Sequence, residues 1–139
     1  MAKRGATRRT TDELACPCGS GQRYAPCCGR LHRGEADAGT AESLMRARFA
    51  AFAVRDTAYL LRSWDATTRP VALDLEPGTR WTRLEVLSTS GGGLFDATGT
   101  VEFRAHYRER GRVGTLHERS RFRRTDGRWF YLDGRTDPA

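Results

Sequence analysis

Lysine is almost missing from this chain: Lys3 is the only one among 24 basic residues. Schiff-base and other amine chemistry therefore has no candidate outside the N-terminal tail. Long apolar runs are also missing, and none approaches the ~20 residues that a membrane helix needs. The basic stretch from Met1 to Arg9 is followed by no apolar segment, which argues against a secretory signal. Cysteine is confined to residues 16–28, with no second cluster and no internal repeat elsewhere. Together these absences predict a cytoplasmic protein, where thiols stay reduced and clustered cysteines serve as ligands more often than as disulfides.

What is present is a chain of 139 residues with a formal net charge of +7, supplied by arginine. The length fits one compact domain with a small appendage. Binding through four thiolates would lower the charge to about +3, and a divalent ion would return it to about +5. The remaining excess permits an acidic partner, RNA or an anionic protein surface among them, and equally serves solubility.

The cysteines stand as Cys16-Pro17-Cys18, then eight residues, then Cys27-Cys28. Four thiolates suit a closed tetrahedral zinc site. Pro17 restrains the first pair, Gly19 and Gly21 permit a reversal, and Ser20 can cap the turn leading to the second pair. A segment so short has little core of its own, so the metal must supply its folding. Two disulfides, a redox pair or catalytic zinc fit less well. The compartment is reducing, the Cys-x-Cys spacing is not that of a redox site, and four cysteines leave no open position on the metal. His32 is the reserve ligand.

Along the chain, residues 1–13 read as a flexible basic tail, 14–31 as the zinc segment, 32–40 as a linker and 41–135 as an α+β domain. A helix begins at the Thr40 cap and runs to about Arg55, with Leu44, Met45, Arg48, Phe49 and Phe52 on one face and Arg46 pointing away. Asp56 caps a second helix carrying Tyr59, Leu60, Leu61 and Trp64. A helical turn is expected around Val71–Leu75. Four strands follow: one around Trp81 to Leu87, one over Thr98–Glu109, one over Gly114–Arg124 and one over Trp129–Leu132. Hairpin turns at Arg110-Gly111 and Asp126-Gly127 join the last three. The helices should lie across one face of a curved antiparallel sheet, whose inner face forms the core and can hold a pocket.

Strand alternation places Val101, Phe103, Ala105 and Tyr107 inward on the second strand. On the third it places Leu116, Glu118, Ser120 and Phe122 inward. Glu118 and Ser120 are then polar groups aimed at the core, and an inward carboxylate needs a partner. Arg48 is the expected partner, as a buried ion pair with Glu118. Tyr107 joins them as a candidate pocket residue. His106 and His117 lie on the opposite face among Arg104, Arg108, Arg119, Arg121 and Arg123. With no carboxylate of suitable spacing they read as surface histidines, and no interleaved aromatics mark the face as a nucleic-acid platform.

Cys16-Pro17-Cys18-Gly19-Ser20-Gly21, with Tyr24 and Cys27-Cys28, resembles the SEC-C zinc motif found at the C-terminus of the SecA translocase. There the last ligand is commonly histidine, where this chain has Cys28. That motif docks a chaperone and contacts ribosomes, which implies a protein partner of the chaperone or ribosome type. Leu44 to Phe49, Tyr59-Leu60, Thr68-Arg69-Pro70, Gly99 to Phe103, His117 to Phe122 and Gly127 to Tyr131 resemble the YchJ-like family. That resemblance implies the zinc motif joined to a cone-shaped domain like nuclear transport factor 2. The leading functional expectation is a non-enzymatic, zinc-binding adaptor. One alternative is a small-molecule pocket of the isomerase or hydratase kind with Glu118 as base, a role that carboxylates take in isomerases of that fold. The other alternative is a ribosome- or RNA-associated protein.

Overall fold

The computed structural model describes residues 10–138. Most of the tail expected over 1–13, Lys3 included, lies outside them. A single 3-10 turn at Thr11–Glu13 leads into the cysteine segment, which ends in helix α1 (Cys28–His32). Helices α2 (Ala41–Val54) and α3 (Thr57–Arg62) follow. Strands β1 (Thr79–Gly91), β2 (Thr98–Glu109), β3 (Arg112–Thr125) and β4 (Arg128–Thr136) then form one antiparallel meander in chain order. This is the α+β arrangement expected from the change of hydrophobic period after Gly78.

The helix ends follow their side chains. Thr40 accepts a hydrogen bond from the Ser43 amide at 3.0 Å, and Asp56 accepts one from the Tyr59 amide at 3.0 Å. Between the two helices Arg55 adopts a left-handed conformation, φ 65°, and so turns the chain within two residues. The hairpin turns also match expectation, with Arg110 and Asp126 at φ 51° and 52°, as the right-handed twist of the flanking strands requires. Register shifts in β1 at Trp81/Arg83 and Val86/Ser88, and between β3 and β4 at Arg121/Phe122, bend the sheet. Helix α2 lies in the resulting concavity. Leu44, Phe49, Leu60, Val101, Phe103 and Phe122 are buried there, each contributing on the order of 1.5–3 kcal/mol.

Two local expectations fail. Helix α3 stops at Arg62, so Trp64 is not helical. The backbone of Ser63–Asp65 instead pairs with Tyr131 on the outer edge of β4: the Tyr131 amide donates to Ser63 O at 2.9 Å, and the Asp65 amide to Tyr131 O at 2.7 Å. Val71–Leu75 forms no helical turn either. Leu73 and Leu75 are half-buried while their neighbours are exposed, the period-two pattern of extended chain. Arg55 holds this stretch through Leu75 O at 3.2 Å and Glu76 O at 3.4 Å.

Asp65 anchors the edge segment. Its buried carboxylate receives Arg123 at 2.8 and 3.2 Å and both the amide and hydroxyl of Thr67, at 3.0 and 2.6 Å. The Arg123 guanidinium and the Thr67 donors hold the Asp65 carboxyl well below its ordinary value of 3.8. A depressed folded-state pKa gives stability that is present above about pH 3.8 and lost as pH falls through the folded value. Asp65→Asn should therefore lower the urea midpoint at pH 5–7. The gap from wild type should close as the pH is taken below 3.8. A gap that stays constant down to pH 2 would show that the clamp does not depend on the ionised carboxylate.

Candidate functional site

The cysteine segment folds as a knuckle. Ala15 and Arg23 form an antiparallel bridge, and the Cys16 amide donates to Gln22 O at 2.8 Å. The amides of Cys27 and Gly29 then converge on Tyr24 O at 3.0 and 2.8 Å, which starts α1 at Cys28. Gly29 is required by this crossing, since a Cβ there would lie 2.7 Å from Tyr24 O. The four expected ligands come together, with all Sγ atoms within 4.8 Å of one another and Cys18 and Cys27 at 3.6 Å. A regular tetrahedron with ~2.3 Å metal–sulfur bonds spaces its sulfurs ~3.8 Å apart, so four sulfurs within 4.8 Å of one another could hold one ion.

The thiols perturb one another strongly. Hydrogen bonding from Cys16 holds the Cys18 thiol well below its ordinary value. Its counterpart pushes Cys16 up to about 11, and hydrogen bonding with Cys16 and Cys18 pushes Cys28 higher still. Opposite shifts on neighbouring sulfurs are what a close cluster of thiols produces. The Ser20 hydroxyl lies 3.1 Å from Cys27 Sγ and also accepts from the Gln22 amide. It thus serves a ligand directly and does not cap α1, whose first turn follows Cys27.

His32 is not a ligand. Sequence placed it at the start of the linker, but it is the buried last residue of α1, and both ring nitrogens are taken. Nε2 donates to Ala47 O at 2.8 Å, which leaves Nδ1 to accept from the Tyr24 hydroxyl. Burial pushes the imidazole pKa down, in keeping with this neutral form. Arg46 reaches Cys18 O at 3.0 Å, and Arg62 reaches Leu31 O and His32 O at 3.2 and 2.7 Å. The knuckle is therefore fastened to the outer side of α2.

The opposite side of α2 roofs a cavity of about 120 Å³. Met45, Arg48, Phe49 and Phe52 line it from the helix, and Leu116, Glu118 and Ser120 from β3. Trp64, Trp81 and Tyr131 complete the wall, and sequence reasoning missed all three. The expected Arg48–Glu118 ion pair is not formed, although both side chains reach this cavity. Arg48, only 3% exposed, donates to Leu60 O at 2.8 Å and Ser63 Oγ at 2.7 Å. Its guanidinium lies 4.4 Å from the Tyr131 ring centre and 5.0 Å from that of Trp64. Burial pushes its pKa down to about 10. Helix α3 crosses close enough to offer its terminal carbonyl, and that contact replaces the carboxylate.

Glu118 turns toward β4. Its Oε2 accepts from Ser120 at 2.7 Å and from the Tyr131 hydroxyl at 3.4 Å. Burial and the Glu118 carboxylate push that hydroxyl up to about 12, so it remains a donor. Gly134 makes room, because a Cβ there would collide with the carboxylate. Tyr107 does not reach the cavity. It sits beyond Trp81, edge-on at 5.1 Å between ring centres, and covers Gly114.

Residues 40–134 match the sequence profile of the YchJ middle domain, an NTF2-like domain. The chain belongs to the YchJ family. A UPF0225 protein of Streptomyces coelicolor is 58% identical over 119 residues, covering 86% of this chain and 93% of the relative. One from Corynebacterium efficiens is 52% identical over 122 residues, covering 88% and 93%. The solution structure of a SEC-C motif containing protein from Rhodopseudomonas palustris superposes with a TM-score of 0.77 at 36% identity, covering 88% of this chain and 98% of that one. The crystal structure of another SEC-C motif containing protein, from Psychrobacter arcticus, gives 0.75 at 25% identity, covering 93% and 86%.

On the convex face of this YchJ-family sheet the histidines do have carboxylate neighbours, contrary to expectation. His106 Nε2 lies 2.6 Å from Glu85, and His117 Nε2 lies 2.7 Å from Glu102. His106 pairs across the strands with Arg83 and His117 with Arg104, so Glu85 and Glu102 each lie diagonally across from their histidine. Arg119 shares Glu102 at 3.0 Å, and Arg121 holds Asp133. Part of the arginine stripe is thus neutralised within the sheet. Among the described residues no helix is long and apolar enough to cross a membrane.

Proposed function

We propose that the protein is a zinc-braced small-molecule-binding module. Four cysteines hold one structural zinc ion at the knuckle, and the cavity under α2 holds the ligand. Zinc is the metal favoured by an all-sulfur tetrahedral donor set with no open position, and free thiolates suit a reducing compartment such as the cytoplasm. The ion would supply folding energy and no chemistry, since all its positions would be filled by Cys16, Cys18, Cys27 and Cys28.

The cavity carries the reading. It combines an apolar lining with a buried arginine that has no ion-pair partner among the described residues and a carboxylate that accepts from two hydroxyls. An interior evolved only for stability would fill such a space or pair such a charge. The occupied Oε2 of Glu118 presents the carboxylate as a fixed acceptor, which favours binding over base catalysis. A docking role would use exposed side chains such as Leu94 and Phe95, which offer apolar surface without the converging polar groups of the cavity.

The test is a ligand-observed NMR fragment screen on the zinc-loaded chain, repeated with Ala105→Leu. Ala105 lines the cavity, so the larger side chain should abolish binding of the hits. Hits that bind Ala105→Leu equally well, or no hits at all, would remove this reading.

A further inference from the structure

Resting on the pocket reading above, we infer that the cavity selects an uncharged planar ring bearing a hydrogen-bond acceptor and a donor on one substituent, as in an aromatic carboxamide, and rejects its charged isosteres. The first ground is size and shape. About 120 Å³ is close to the ~150 Å³ apolar cavity that takes up benzene. Its walls include Phe49 and Phe52, at 6.3 and 6.1 Å between ring centres from Trp81. Such edge-on and tilted rings favour a flat aromatic guest.

The second ground is unmet hydrogen bonding. Both hydrogens of Arg48 Nη1 are accounted for by Leu60 O and Ser63 Oγ. Its remaining N–H groups find no acceptor among the described residues. Among the buried polar side-chain atoms of the described residues, only the indole N–H groups of Trp64 and Trp129 lack a partner, and of the two Trp64 lines the cavity. A buried donor left unpaired is rare and costly, and a ligand oxygen set between Trp64 and the free edge of Arg48 would satisfy it. On the other side, Glu118 Oε2 is occupied but Oε1 has no partner among the described residues. It calls for a donor.

The third ground is charge. Arg48 and Glu118 face the same space without touching, and Tyr131 spans them: the guanidinium lies over its ring, and its hydroxyl reaches Glu118. An anion would gain Arg48 but meet Glu118, and a cation would meet the reverse. A neutral group with an oxygen toward Arg48 and Trp64 and an N–H toward Glu118 opposes neither.

Benzamide, benzoate and benzylammonium share one ring and differ in charge, so they are the probes. Each is titrated into the zinc-loaded chain, with calorimetry for affinity and the Trp64 indole N–H resonance for location. Benzamide should bind, shift that resonance, and exceed the other two at least tenfold. Glu118→Gln removes the negative charge at nearly constant shape. It should raise benzoate affinity at least tenfold while leaving the melting temperature of the free protein within a few degrees. Benzoate or benzylammonium binding the wild type as tightly as benzamide would overturn the proposal, whatever the variant does. So would a folded Glu118→Gln protein that still rejects benzoate. If none of the three binds while the fragment screen yields hits lost in Ala105→Leu, the ligand class is wrong and the pocket reading stands. If the screen is also empty, both fall.

Discussion

Stripping the metal should unfold residues 14–32 and leave the sheet and α2 folded. The knuckle buries few side chains of its own: Cys16, Cys18, Tyr24, Cys28, Leu31 and His32. Half of these are cysteines of the cluster. Its backbone bonds, such as those converging on Tyr24 O, form one tight loop that cannot offset its conformational entropy alone. Structural zinc supplies on the order of 10–16 kcal/mol to motifs of this kind. Without it four sulfurs are left crowded within 4.8 Å of one another. Amide exchange measured before and after a strong chelator should show protection lost at Tyr24, Cys27 and Gly29. Protection should persist at Phe103 and Phe122, whose backbone is paired within the four-stranded sheet. Cys16→Ser or Cys27→Ser should lower zinc content below one ion per chain by mass spectrometry. Full content in both variants, or intact protection after chelation, would refute a structural ion.

Replacing Arg48 by Ala should destabilise the protein by about 3–5 kcal/mol, from a lost side-chain volume and lost hydrogen bonds in the core. Leu60 O and Ser63 Oγ would lose their donor, and the facing rings of Trp64 and Tyr131 would lose the group between them. The comparison with Arg48→Met carries the meaning. Met restores most of the volume without the cost of a buried, unpaired charge, and such exchanges are often neutral or stabilising. Met should therefore recover most of the loss in urea denaturation while failing to bind whatever ligand the wild type binds. A Met variant as unstable as Ala would make Arg48 a structural element, needed for the end of α3 and not for the cavity.

Particular residues show what sequence could reveal. The gathering of the four cysteines was legible because their spacing sits in one short segment, where geometry is local. Glu118 and Ser120 were legible because alternation along β3 fixes the face of each side chain. Arg48 was placed on the right face of α2, but its partner was not, since a helical plot gives direction and not the depth of a neighbouring helix. Trp64 and Tyr131 were missed because they meet through an edge pairing between segments some 67 positions apart. The Glu85–His106 and Glu102–His117 contacts depend on cross-strand register, and in β1 the bulges that set it leave no mark in the hydrophobic pattern. Tyr107 shares the inward face of β2 but lies too far along the strand, behind Trp81.

Helix α2 is a common wall. Arg46 and Ala47 hold the knuckle on one side, and the neighbouring Met45 and Arg48 hold the cavity on the other. No rigid displacement of that helix can alter one compartment and spare the other. Reciprocity then follows from thermodynamics alone: whatever factor metal loading applies to ligand affinity, ligand applies to metal affinity. A measurement of either constant is incomplete until the occupancy of the other compartment is fixed.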